Sequence, residues 1–195
     1  MRVARRVPRI LTVSSSSKHD IVAQYAIRPE QLAVVPIGAD HTHFRPRPEV
    51  AKVPGRIMPT ASADVPFKGL LPLVEAVAKL RTERPEAHLV VVGRLRAESP
   101  VAAAIDRLGL NGAVRFESAV SDDRMVELYA EATVAVVPSL YEGFSLPAVE
   151  ALACGVPLVA TTGGALPEVV GEDGVTGMLV PPGDPLALAE ALATL

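Results

Sequence analysis

The stretch TVAVVPSLYEGFSLPAVEALACGVPLVAT, from Thr133 to Thr161, decides the fold. It opens on a β-branched apolar run, passes a turn-forming loop, and enters a segment of small and apolar residues punctuated by Pro147. It closes on Gly155 and Pro157 before a second β-branched run. That is strand, helix, strand. Both strand runs are apolar at nearly every position, which fits parallel strands covered on both faces. The stretch holds only two acidic residues from Ser139 onward, Glu142 in the loop and Glu150 about a turn inside the helix.

The same alternation runs outward in both directions. Strand candidates are ILTVS (10–14), LAVVP (32–36), RIMPTA (56–61), HLVVVG (88–93), AVRF (113–116), TVAVVP (133–138), PLVAT (157–161) and GMLV (177–180). Helical patterns lie between several of them. Leu70, Leu73, Val74, Val77 and Leu80 recur at helical spacing, with Pro72 in the first turn, where a missing N–H costs little. Ser99 before Pro100, and Ser121 before Asp122 and Asp123, read as helix caps. The last segment, PLALAEALATL, reads as a helix without a C-terminal cap. The predicted fold class is α/β: a doubly wound, mostly parallel Rossmann-like sheet with helices on both faces. Residues 38–55, Pro-rich and without periodicity, read as a linker between a segment at 1–37 and a main domain at 56–195.

Composition narrows the class. The chain has 195 residues, 49% hydrophobic and 21% charged, with a formal net charge of -3. This is a globular profile whose charge argues against general nucleic-acid binding. No apolar run has the length of a membrane helix. Cys154 is the single cysteine, so no internal disulfide can form. A reducing, cytoplasmic setting is expected. His41 and His43 form a His-Thr-His pair with no further metal ligand evident, and no metal or other cofactor is expected.

In an open α/β sheet, ligands bind beyond the carboxyl ends of the strands. The loop SLYEGFS lies at that edge. Gly143 permits close backbone approach, and Ser145 reads as the N-cap of the helix that follows. A helix N-terminus seats phosphate. Glu142 at its mouth and Glu150 a turn behind could each accept hydroxyl hydrogens, a layout that fits a nucleotide sugar. The competing reading leaves Glu150 as a solvated helix residue and Glu142 as a loop charge.

SLYEGFSLPAVEALACGVPLVAT resembles the signature of retaining glycosyltransferases of family 4, which have the GT-B fold: two glutamates with seven residues between them, then a small-residue helix and a CGVP-type turn. AVRFESAV with SDDRMVELYAEATVAVVPS resembles the family's nucleotide-pocket strand and helix. TTGGALPEVV and GVTGMLVPPGDPLALAEAL resemble its next loop, hairpin and helix, and VVPIGADHTHF the segment leading into the domain. The resemblance implies one half of a GT-B fold, the part that binds a nucleotide-sugar donor. It makes Glu150 the ribose ligand and Glu142 the donor-sugar ligand. Backbone amides of Gly143, Phe144, Ser145 and Leu146 would face sugar and diphosphate, with Lys68 neutralising the diphosphate and the base near Glu117 to Val120. The competing reading of Lys68 is a solvated lysine at a helix start. The implied activity is that of a hexosyltransferase, silent in this isolated domain because a missing N-terminal domain would bind the acceptor. Contact of a parent enzyme with a membrane surface, and self-association through ILTVS, are further expectations. The rival readings are a binding module without catalysis, or half of another GT-B enzyme such as an epimerase or a phosphorylase. Two positions depart from the family: Ala63 stands where an arginine is usual, which makes Arg94 a candidate substitute, and Ile37 stands where asparagine is frequent.

Overall fold

Short runs of β-branched and apolar residues form the strands of the computed structural model, which describes residues 3–59 and 65–195. β1 (Ile10–Thr12), α1 (Ser15–Tyr25) and β2 (Leu32–Val34) come first, with β1 and β2 paired in parallel as a two-stranded sheet. After the 38–55 segment come β3 (Arg56–Pro59), α2 (Leu70–Leu80), β4 (His88–Val92), α3 (Pro100–Arg107), β5 (Val114–Glu117) and α4 (Asp122–Glu131). The chain continues through β6 (Val134–Val137), α5 (Leu146–Ala153), β7 (Leu158–Thr161), α6 (Leu166–Val170), β8 (Met178–Val180) and α7 (Pro185–Ala193). Six strands form one all-parallel sheet in the order β5-β4-β3-β6-β7-β8.

Alternation along the strands divides the core in two. Ile57, Leu89, Val91, Val134, Val136 and Val159 face α2, α3 and α7, where they meet Leu73, Val77, Ile105 and Leu188. Their neighbours Met58, Val90, Ala135, Val137, Leu158 and Ala160 face α4, α5 and α6, where they meet Leu128, Tyr129, Ala151 and Leu166. A side chain buried this way contributes roughly 1.5–3 kcal/mol, and neither face is open to water. Period-2 alternation is invisible in the sequence of such strands because both faces are apolar.

The strand order has a mechanical consequence. From β3 the chain steps outward to β4 and β5, then returns along α4 to β6 and steps the other way. The direction reverses between β3 and β6. Their carboxyl ends leave a crevice there, the usual ligand position in such sheets.

Some expectations need correction. The ILTVS strand pairs within the chain: Ile10 is in register with Leu32 and Thr12 with Val34, although Leu11 remains exposed. GVTGMLV does not form a hairpin. Gly174 N–H donates to Gly177 O at 2.8 Å in a tight turn, and β8 then pairs in parallel with β7. α7 is capped at both ends, by the Asp184 carboxylate on the N–H groups of Leu186 and Ala187 and by Thr194. The 38–55 segment lies along α4. Lys52 Nζ donates to Ala132 O, Val53 N–H to Glu131 O, and Phe44 meets Tyr129 edge-on.

Candidate functional site

Three loops converge at the reversal of the sheet. The loop after β6 starts at Ser139, fully buried, whose carbonyl accepts from Thr161 Oγ1 at 2.5 Å. The loop after β7 passes so close that only glycine fits. A Cβ on Gly164, at φ +65°, would stand 2.3 Å from Glu142 O. That approach lets Ala165 N–H donate to Glu142 O at 2.8 Å, which fixes the backbone of Glu142. The loop before α2 is pinned in the same way. A Cβ on Gly69 would lie 1.8 Å from Pro138 O, and Leu140 N–H donates to Phe67 O at 2.8 Å. Lys68, between Phe67 and Gly69, is thereby held against the β6–α5 loop.

The side chains follow from those constraints. Lys68 Nζ lies 2.7 Å from Glu142 Oε1, which also accepts from Ser139 Oγ at 2.7 Å. The pair is largely shielded, with 33% of the lysine and 14% of the glutamate side chain exposed. Among the described residues Glu142 Oε2 carries no hydrogen bond. Glu150 lies in the second turn of α5, where Tyr129 Oη is 3.2 Å from its Oε2 and 3.3 Å from Pro147 O. Burial pushes the Glu150 carboxyl above the ordinary carboxylate range. The Tyr129 hydroxyl opposes that shift and the charge of Asp122 adds to it. Lys68, Glu150, Tyr129, Met58, Val92 and Met125 line a cavity of about 110 Å³ at the crevice. A larger hollow of about 320 Å³, with Val65, Leu70, Arg96 and Val101 among its walls, is lined by neither Glu142 nor Glu150.

None of the backbone N–H groups of Gly143, Phe144, Ser145 and Leu146 makes a hydrogen bond among the described residues. They lead into the N-terminus of α5, so this edge of the cavity carries partial positive charge beside Lys68. Lys68 thus stands between two carboxylates, Glu142 in direct contact and Glu150 on the wall of the same cavity, beside a run of unpaired N–H groups.

Ser145 departs from its expected role. It stands at the N-cap position, but its backbone is left-handed at φ +95° and its side chain caps nothing. Its buried Oγ has no partner among the described residues. The Gly143 carbonyl accepts from Ser17 Oγ of α1 at 3.1 Å. Tyr141 turns from the cavity and donates to Asp20 on the same helix. Leu146 is 38% exposed at the rim. Val120 packs against the same apolar cluster as Val92 and Met125, and Glu117 is taken up by Arg124 at 3.4 Å. Ala63 lies outside the described residues. Arg94 is exposed at the end of β4 and does not line the cavity. Tyr129 and Met125 were not legible as site residues, because in SDDRMVELYAEA both fit the inward stripe of an amphipathic helix.

Residues 55–195 match the family model described as Glycosyl transferases group 1. Over 194 residues the chain is 50% identical to an MMP alpha-(1->4)-mannosyltransferase of Mycolicibacterium hassiacum, a match that covers 100% of this chain and 46% of that protein. It is 33% identical to a D-inositol 3-phosphate glycosyltransferase of Streptomyces scabiei, covering 98% of this chain and 46% of that one. Among solved structures, Alr3699/HepE of Anabaena in complex with UDP-glucose superposes with a TM-score of 0.85 at 25% identity, over 99% of this chain and 55% of that one. The chain therefore spans about half the length of the curated relatives it matches.

Proposed function

The chain belongs to the group 1 glycosyl transferases, and on that premise we propose that it is the donor-binding half of a retaining hexosyltransferase. One observation carries the reading. Lys68 and Glu150 line one small cavity at the reversal of the sheet, Glu142 is paired to Lys68 at its edge, and the unpaired N–H groups of 143–146 lead into α5, whose Pro147 lines the same cavity. A nucleoside diphosphate sugar offers complementary groups in the matching order. Its sugar hydroxyls meet Glu142, its diphosphate meets Lys68 and the α5 N-terminus, and its ribose diol meets Glu150. The apolar patch of Met58, Val92 and Met125 gives the nucleoside a surface to lie against.

In this reading the residues act chiefly on the leaving group. As the glycosidic bond to the diphosphate lengthens, negative charge gathers on the phosphate oxygens. Lys68 and the preset N–H groups stabilise that charge without reorganising. The acceptor arrives on the face the diphosphate leaves, and the leaving phosphate takes its proton. The acceptor is bound by residues of a longer protein, as the coverage of the relatives suggests. The relative at 50% identity makes a mannosyl unit the first donor to try, and the UDP-glucose complex of the structural neighbour makes uridine the first base.

Calorimetric titration of this chain with UDP, GDP and ADP tests the reading. One nucleotide binds, and Glu150→Ala weakens it by at least ~10-fold, about 1.4 kcal/mol. Equal affinity in both proteins refutes the ribose assignment. Turnover by a longer protein carrying this half separates an enzyme from a module that only binds.

A further inference from the structure

Tyr129 is the bulkiest of the fully buried side chains, 1% exposed on α4. Phe44 braces its ring edge-on, with centroids 6.3 Å apart, and His43 in turn meets Phe44 edge-on at 5.1 Å. For packing alone a phenylalanine would serve. A buried hydroxyl is costly unless it is hydrogen-bonded. This one emerges at the wall of the cavity, within reach of Glu150 Oε2 and Pro147 O.

We infer that Tyr129 is a positioning residue, whose phenol holds the Glu150 carboxylate in place to accept the hydroxyls of a ribose. The inference rests on the donor site proposed above. Glu150 is a long side chain with several rotamers, and Pro147 on its own helix offers it no proton. A donor from α4 fixes one oxygen and leaves the other turned to the cavity. Phe44, from the 38–55 segment, keeps the phenol from swinging away.

The same hydrogen bond acts on charge. Burial raises the Glu150 carboxyl, and Asp122 of α4 adds to the rise. The Tyr129 hydroxyl favours the ionised form and lowers it. Lys68 shares the cavity, and Cys154 on its own helix faces Arg47 of the 38–55 segment. A ribose ligand needs the ionised form, so binding fails as pH falls through the raised value. Without the phenol that value rises further, and the failure moves to higher pH.

Tyr129→Phe keeps the ring and its contact with Phe44 and removes only the hydroxyl. The probes are UDP, or whichever nucleoside diphosphate the wild-type chain binds, and its 2′,3′-dideoxy analogue. The expected result is a ~10-fold loss for the ribonucleotide, little change for the dideoxy analogue, and an acid limb of binding moved to higher pH. 3-Fluorotyrosine at position 129 keeps the fold and the hydroxyl but makes a stronger donor, and moves that limb to lower pH. Glu150→Gln serves as the control on the underlying site. If Glu150→Gln abolishes the ribo-to-dideoxy preference while Tyr129→Phe retains it with an unmoved acid limb, the positioning role is overturned. An unmoved limb with 3-fluorotyrosine overturns it as well, even where Tyr129→Phe does not fold. If the wild-type chain shows no preference, or Glu150→Gln leaves it intact, the ribose assignment itself is overturned.

Discussion

Ser145 carries two costs at once. Its backbone lies at φ +95°, a region L side chains avoid at roughly 1–2 kcal/mol, and its buried hydroxyl has no partner among the described residues. Ser145→Gly removes both, against roughly 0.5–1 kcal/mol for the freer unfolded chain. Urea denaturation should find the variant more stable by about 1 kcal/mol or more. An unchanged or lowered midpoint would mean that the backbone is at ease there. The position shows what a sequence hides at this scale. A serine before Leu-Pro reads as a helix cap by composition, and only coordinates reveal a reversed φ. Glu142, Glu150 and Lys68 were singled out through the family resemblance, since two glutamates eight positions apart are not specific by spacing alone, and the structure brings Lys68 against Glu142. Tyr129 was not legible, since a hydroxyl on an inward helix stripe says nothing of which carboxylate it will meet.

The same contrast holds for the elements. All eight strands were legible from their β-branched runs, and α2, α3, α4, α5 and α7 from an apolar stripe or terminal signals. α1 was missed. It runs SSSKHDIVAQY, buries no residue fully and presents no apolar face to read. Its stability is borrowed from the ends. Ser14 caps it within the chain, and the Glu168 carboxylate of α6 accepts from the N–H groups of Ser15 at 2.8 Å and Ser16 at 2.6 Å. No local pattern announces a cap supplied from 153 residues away. Glu168→Ala leaves those N–H groups without a partner and removes an acidic group from the helix start, a loss of about 1 kcal/mol. Amide hydrogen exchange across 15–25 should quicken in the variant while β3 to β7 keep their protection. Uniform exchange everywhere would show that α1 does not depend on the contact.

The molecule as a whole holds a six-stranded parallel sheet and a two-stranded one, and the order of the six strands sets where the crevice lies. That order was expected only as a class, because no residue pattern states which strand lies beside which. Right-handed crossovers and two covered faces narrow the possible orders to a handful without choosing among them. Across the seam between β3 and β6, the Lys68–Glu142 pair joins the two halves of the sheet. Glu142→Gln tests what that pair does: orthophosphate should bind more tightly to the variant, and a sugar-bearing diphosphate less tightly, both by calorimetry. A parallel change in the two affinities would argue against the reading. The carboxylate is a built-in rival for the lysine. On the proposed reading, plain phosphate would have to evict it with nothing to offer in exchange, whereas a glycosylated diphosphate would bring hydroxyls for the displaced acid, so the pair itself would sort one anion from the other.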